Sequence, residues 1–304
     1  MMKVSMKLLA HVILATFVFF SVGYAEEGPS FKAKVARLLM GESGGDRLFY
    51  YPTKKQPHTP GKYGYKYEDV YFKSEDGTKL HGWFLPSKYG AQKAKGTIVF
   101  SHGNAGALGH HFYFTYWMVR EGYNVFMYDY RGYGSSGGKV SRKGLVEDAQ
   151  AAFRYIVTRV DIDQDKLVSF GHSLGGAKSI AALAASAPEG LRAVIVDSTF
   201  NSYVEMAEII AGDTGKNIVS GSYEPGKLIT KLPKVPLLVV HGTLDRTIPL
   251  SQAEKLFQSA HQPKTLFKVE GAGHTSTLII NQEEYRKKLL VWLDAAMEKE
   301  KIAF

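Results

Sequence analysis

The chain contains no cysteine, which excludes disulfide bonds, a lipid-bearing N-terminal cysteine and any thiolate metal site. Its stability must therefore come from packing alone. Its ten histidines include no His-x-x-x-His pair with a suitably spaced carboxylate, so neither a metal nor a cofactor is expected. Also missing is an apolar run long enough for a comfortable membrane span. The best candidate, Leu8 to Val22, is short and broken by His11, Thr16 and Ser21. The formal charge of +9 is scattered over Lys54, Lys55, Lys62, Lys66, Lys93, Lys95 and Arg286 to Lys288, without the arrayed basic helix or aromatic platform of a nucleic-acid binder. Nucleic acid is thus not an expected partner. The spread of charge describes a solvated face and permits contact with an anionic membrane surface.

What the N-terminus does have is a basic start (Met1-Met-Lys3, Lys7), a short apolar middle, and the small-residue pair Gly23 and Ala25 ahead of Glu26. That order describes a secretory signal peptide over 1–25 and predicts periplasmic or secreted protein, the alternative being an uncleaved membrane anchor. Residues 26–66, with Tyr50-Tyr-Pro52, Pro57, Pro60 and Gly61, read as an arm lying over the domain, its tyrosines covering a sheet edge. The remainder, 67–300, has the size and the 45% hydrophobic content of one catalytic domain.

Within it, Asp69 to Lys73 and Leu80 to Leu85, joined through Asp76-Gly77, read as a hairpin. Six short apolar runs follow: Thr97 to Phe100, Val125 to Tyr128, Leu167 to Phe170, Val194 to Val196, Leu237 to Val240 and Leu266 to Val269. Helical patterns lie between them. One carries Leu145, Ala149, Ala152, Phe153 and Ile156, and two others open on Ser251 with Glu254 and on Asn281 with Glu284, the last presenting Tyr285, Leu289, Trp292 and Ala296. The alternation predicts an α/β fold with a mostly parallel eight-stranded sheet covered by helices on both faces. The longest connection, 197–233, lies between the sixth and seventh strands and reads as a small cap.

Three Gly-x-Ser-x-Gly matches occur. Gly41 to Gly45 has no strand before it, and Gly134 to Gly138 follows its strand only after an intervening loop; both read as flexible glycine loops. Gly171-His-Ser-Leu-Gly175 alone sits between an apolar strand and a segment rich in Ala, Leu and Ile, the context of a nucleophile elbow. A serine hydroxyl is a weak nucleophile. It needs an imidazole to take its proton and a carboxylate to fix and stabilise that imidazole. Asp245 after the seventh strand and His274 after the eighth supply both, in the order Ser173, Asp245, His274. Asp197, after the sixth strand, is the competing acid. The backbone amides of Leu174 and of Asn104, in Ser101-His-Gly-Asn-Ala-Gly106, are the candidate oxyanion donors, with Gly103 letting that loop approach. His102, His172 and His241 read as loop braces, His110-His111 as a helix start, and Asp129 with Arg131 as a pair within one loop.

With Ser101 to Gly106, Asp129-Tyr-Arg-Gly-Tyr-Gly-Ser135, Gly171 to Gly176, His241-Gly-Thr-Leu-Asp245 and Gly271-Ala-Gly-His274 in hand, the chain resembles the α/β-hydrolase-fold serine hydrolases. Within them it stands nearest the serine aminopeptidase-like domain family, over roughly Phe49 to Trp292. The resemblance implies an enzyme acting on a small-molecule ester or acyl substrate through an acyl-serine intermediate, with a peptidase, amidase or thioesterase as the alternative and a non-catalytic binding protein as the bland one. The cap offers one apolar helix, from which Met206 and Ile210 are the candidate substrate contacts. So small a supply of apolar surface predicts short to medium acyl chains.

Overall fold

The computed structural model describes residues 49–280 and 282–298. The expected signal peptide, most of the arm, the Ser43 motif and the Asn281 cap lie outside the described residues.

Eight strands form one sheet, in the order Lys264–Val269, Leu237–Gly242, Leu191–Asp197, Leu167–His172, Thr97–Ser101, Asn124–Asp129, Lys79–Leu85 and Glu68–Lys73. The hairpin β2 (Glu68–Lys73) and β3 (Lys79–Leu85) is antiparallel, and β3 also runs antiparallel to β6 (Asn124–Asp129). The remaining pairs are parallel: β4 (Thr97–Ser101) lies between β6 and β7 (Leu167–His172), followed by β8 (Leu191–Asp197), β9 (Leu237–Gly242) and β10 (Lys264–Val269). The hairpin turns at Asp76-Gly77, where Gly77 has φ 83° and the Asp76 carboxylate accepts from Thr78 N.

The central strands are apolar runs because both faces are covered. Val99, Leu167, Val194, Val196 and Val239 pack on one side against helices α3 (Arg142–Ile156), α4 (Leu174–Ala185) and α7 (Leu250–Ser259). Ile98, Phe100, Phe170, Ile195 and Leu238 alternate to the other side. There they meet α1 (Leu108–His111), α2 (Tyr116–Arg120) and α8 (Gln282–Glu298). Strand period 2 thus feeds two cores at once. Helix α3 buries Leu145, Ala149, Ala152, Phe153 and Ile156, the stripe its spacing predicts, and Ser141 caps it by accepting from Gly144 N at 3.1 Å.

Several expectations are corrected. Helix α7 begins at Leu250 after Pro249 without a side-chain cap, so Ser251 lies inside its first turn. Helix α8 turns Leu293 inward and leaves Trp292 half-buried. Arg131 does not pair with Asp129. It forms instead a buried fork on Asp148 (2.8 Å) with Asp76 at the rim. The Gly134 to Gly138 loop is pinned, not flexible: buried Ser136 donates to Asp129 O at 2.6 Å and accepts from His81 N at 2.9 Å. In the arm, Tyr50 is buried while Tyr51 is exposed. Short strand β1 (Tyr51–Pro52) pairs not with the sheet edge but with β5 (Ala105–Gly106), in the loop after β4.

Between β8 and β9 the connection holds α5 (Tyr203–Ile218), kinked at Ala211 and Gly212, and the short α6 (Pro225–Leu228). The Glu224 carboxylate caps α5 by accepting from Tyr203 N. No helix among the described residues is long and apolar enough to cross a membrane.

Candidate active site

Strand β7 ends where Ser173 takes φ 54°, ψ −119°, a strained conformation that few residues other than glycine adopt. The surroundings hold it there: Ser173 N donates to Asp197 O at 2.8 Å and Thr199 Oγ1 donates to Ser173 O at 3.2 Å. The bend is so tight that a Cβ on Gly171 would overlap Gly176, and one on Gly175 would overlap the Ser101 carbonyl. The two motif glycines are therefore required by close approach. The first packs strand on helix. The second lets the start of α4 rest on the loop after β4.

From that bend the Ser173 hydroxyl reaches His274 Nε2 at 3.0 Å, and His274 Nδ1 lies 2.8 Å from Asp245 Oδ2. The roles follow from the acid. Burial pushes the Asp245 carboxyl up, but the hydrogen bond from His274, electrostatic attraction toward the His274 and His241 rings and the Ile248 amide outweigh burial and hold it below its ordinary value. Ionised, it can only accept, so Nδ1 carries the proton and Nε2 is the acceptor facing Ser173. Asp245 Oδ1 accepts from Thr247 N (2.8 Å) and Ile248 N (2.9 Å), which fixes which oxygen faces the imidazole. The His274 side chain is 18% exposed, enough for water to reach it.

Asp197, the competing acid, is committed elsewhere. Fully buried, it accepts from Thr277 Oγ1 at 3.0 Å and from Ser198 Oγ at 3.2 Å, and contacts His172 Nδ1 at 3.1 Å. Burial pushes the His172 imidazole down, and its ring lies 5.2 Å from that of His274 as a floor beneath it. His102 bonds Gly103 O through Nδ1 at 2.8 Å, and His241 bonds Ile248 O through Nε2 at 2.8 Å.

The loop after β4 is held on three sides. Tyr133 OH donates to Asn104 O at 2.7 Å, Tyr51 N to the same oxygen at 3.0 Å, and Thr53 N to Gly106 O at 3.0 Å. A Cβ built on Gly103 would stand 3.8 Å from that of Ser173. The amides of Asn104 and Leu174 make no hydrogen bond among the described residues, so both remain available to an incoming oxygen. Of the two candidate substrate contacts, Met206 is buried in the core beside Phe200 and Tyr203, whereas Ile210 is 53% exposed. They do not form one pocket wall. Among the described residues no group of three or more His, Asp or Glu is arranged to hold a metal ion.

Sequence reasoning passed over the run Phe112-Tyr-Phe-Thr-Tyr-Trp117. Phe114 packs against His172 (ring centroids 4.1 Å), and Tyr113 faces Thr275, the neighbour of His274. Its density of aromatic residues directly after the Gly103 loop was the available signal.

The serine aminopeptidase S33 family model matches residues 92–212, a span holding the Asn104 loop and Ser173. Over a longer reach the chain is 37% identical to the uncharacterised protein YfhR of Escherichia coli K12, across 82% of this chain and 87% of that one. It is 33% identical to the α/β-hydrolase domain-containing protein WAV2 of Arabidopsis thaliana, across 84% and 90%. Among solved structures it is similar to the Pyrococcus furiosus esterase Pf2001 (TM-score 0.67, 19% identity, 82% of this chain and 98% of that one). It is similar also to the acylaminoacyl peptidase of Pyrococcus horikoshii (TM-score 0.60, 18%, 81% and 45%).

Proposed function

Because the chain belongs to the α/β-hydrolase family, we propose that it is an exported serine hydrolase cleaving carboxylic esters of short to medium acyl chains through an acyl-Ser173 intermediate. The continuous Asp245–His274–Ser173 hydrogen-bond relay carries this reading. In it, His274 Nε2 takes the hydroxyl proton as Ser173 Oγ attacks the ester carbonyl. Asp245 stabilises the resulting imidazolium. The carbonyl oxygen gains negative charge and is received by the Leu174 amide, at the N-terminus of α4 where the helix dipole favours an anion, and by the Asn104 amide. His274 then returns the proton to the departing alcohol. A water activated by the same nitrogen releases the acid and restores the hydroxyl.

A second reading, peptidase, amidase or thioesterase action on small substrates, is favoured by the family model's description and by the likeness to an acylaminoacyl peptidase. Labelling with a fluorophosphonate probe tests for a reactive serine, and its absence would leave only a binding protein. A paired panel of acyl esters, thioesters and aminoacyl amides then ranks the chemistries. Acyl length follows from the cap. With Met206 in the core, few apolar side chains remain to receive a long chain, each methylene of which gains about 0.8 kcal/mol only where such surface exists. Efficiency is expected to peak at roughly two to eight carbons. A steady rise through esters of about sixteen carbons would contradict this. For export, the intact mass of protein recovered from the cell envelope should correspond to a chain beginning at Glu26. A full-length species in the membrane fraction would favour the anchor.

A further inference from the structure

Strand β9 brings a second imidazole to the catalytic acid. His241, the last residue but one of that strand, is fully buried, and the chain returns to its ring at Ile248. There His241 Nε2 lies 2.8 Å from Ile248 O. A carbonyl only accepts, so Nε2 carries the proton. The same nitrogen stands 3.3 Å from Asp245 Oδ2, the oxygen that His274 Nδ1 meets at 2.8 Å. One carboxylate oxygen therefore faces N–H groups from two imidazoles, while Oδ1 takes the amides of Thr247 and Ile248.

Two features set His241 apart from a loop brace. Its Nδ1 is buried without a hydrogen-bond partner among the described residues, so histidine is a costly choice if holding Ile248 O is its whole task. The second feature is the oxygen it approaches. In a buried site, an N–H dipole 3.3 Å from Oδ2 stabilises the carboxylate and draws on the charge that must also stabilise a protonated His274. It gives Oδ2 a second anchor, as the two amides do for Oδ1. The other titratable groups about the pair are engaged elsewhere or lie at the surface. The His172 ring, 5.2 Å from that of His274, is occupied with Asp197; Glu270 accepts from Thr243 Oγ1; and Arg246, next to Asp245 in the chain, is exposed.

We propose that His241 is a positioning residue of the relay. Its Nε2–H shares Asp245 Oδ2 with His274, fixes the direction of that oxygen and moderates how firmly the carboxylate holds a proton on the catalytic imidazole. The inference rests on the reading of Ser173, His274 and Asp245 as the catalytic centre. His241 acts on the ester only through Asp245 and His274. Without it, Oδ2 keeps more of its charge for His274. The protonated imidazole is then favoured, and a higher pH is needed to free Nε2 of His274 for the Ser173 proton.

The test is the pH profile of kcat/KM on a short-chain nitrophenyl ester, measured on the full chain for wild type, His241→Leu and His241→Gln. Leucine fills the space and offers no N–H. Glutamine carries an amide NH2 whose two hydrogens suffice for Ile248 O and Oδ2 together. In His241→Leu the acid limb should move up by about half to one pH unit, roughly a threefold to tenfold change in proton activity. Above that limb kcat should be about threefold to tenfold lower, the effect of one hydrogen-bond-sized contact, with KM unchanged. His241→Gln should return the limb to its wild-type place. A brace on Ile248 O alone would lower kcat or the melting temperature at every pH alike and leave the limb where it is. An unmoved limb in a folded His241→Leu, or equal displacement in both variants, overturns the proposal. Because His241 is buried, a second measurement carries the test without substituting it. In wild-type protein made with isotope-labelled histidine, the His241 Nε2–H resonance should shift as His274 titrates, since both nitrogens address one oxygen; a resonance that holds still through that titration also overturns it. The titration needs no turnover. Absence of wild-type turnover and fluorophosphonate labelling would sink the catalytic reading, while the histidine resonances would still decide the contact.

Discussion

Replacing Asp245 by asparagine changes one atom and reverses the imidazole. In the native protein Oδ1 accepts two backbone N–H groups, at 2.8 and 2.9 Å, while Oδ2 faces His274 Nδ1. An asparagine keeps its carbonyl oxygen on the two amides, because turning its NH2 toward them would abandon both bonds and leave the buried Ile248 donor unmet, at about 1–3 kcal/mol. The NH2 must then face Nδ1, which can only accept it. The ring proton moves to Nε2, and the nitrogen beside Ser173 can no longer take the hydroxyl's proton. A loss of about 10⁴ in kcat follows, with KM nearly unchanged because no substrate contact is altered. Asp197→Asn, by contrast, disturbs a carboxylate bonded to Thr277, Ser198 and His172. It should lower the melting temperature while leaving kcat within about an order of magnitude, the effect of one second-layer contact. Steady-state ester kinetics alongside thermal unfolding decide the matter. If Asp245→Asn retained more than a few per cent of kcat, or if the two variants exchanged behaviours, the acid would have been assigned to the wrong strand.

Three other perturbations read different parts of the site. Ser173→Ala should abolish ester turnover and fluorophosphonate labelling, whereas Ser136→Ala should keep both and lose about 1–3 kcal/mol of stability in urea unfolding, since its hydroxyl is buried and doubly bonded. Labelling that persists in Ser173→Ala would remove the elbow assignment. Tyr133→Phe deletes the hydroxyl that holds Asn104 O; about 1 kcal/mol of lost positioning predicts a kcat about fivefold lower with KM unchanged, and a change in KM alone would point to substrate binding instead. Acid should unfold the protein early. Burial holds the His102 imidazole down at about 3, so between its unfolded value near 6.5 and that figure the unfolded chain binds the extra proton and stability declines as pH falls. From pH 6.5 to 5 this one group removes about 2 kcal/mol, and the urea midpoint of His102→Phe should fall less steeply over that window than wild type; parallel slopes would refute it.

The fold and the relay could be read from sequence because each rests on local signals. Strands covered on both faces appear as bare apolar runs such as Leu237 to Val240, and each candidate catalytic residue follows one of them within a few positions, so chain order alone brings Ser173, Asp245 and His274 to the same sheet end. What escaped was held together across the chain by groups with no periodicity. Arg131 meets Asp148 from the next helix rather than Asp129 two residues away, and Tyr51 meets Asn104 from an arm whose composition looks like linker. The cap misled for a related reason. Its apolar residues between Tyr203 and Ala211 suggest a lining helix, which ends at Gly212 as expected, but Met206 turns into the core and Ile209 and Ile210 emerge into solvent.

The ribbon between Tyr51–Pro52 and Ala105–Gly106 ties the arm to the loop that carries Asn104. One of the two proposed oxyanion donors, the Asn104 amide, thus sits in a loop held by a strip of chain that lies outside the eight-stranded sheet. Tyr51, Pro52, Lys54 and Lys55 of that strip are exposed. Loss of the ribbon would remove the Tyr51 and Thr53 hydrogen bonds from that loop and leave Tyr133 OH alone on Asn104 O. If Asn104 N is an oxyanion donor as proposed, loosening this ribbon lowers kcat without unfolding the sheet, so the arm reaches the site through backbone alone.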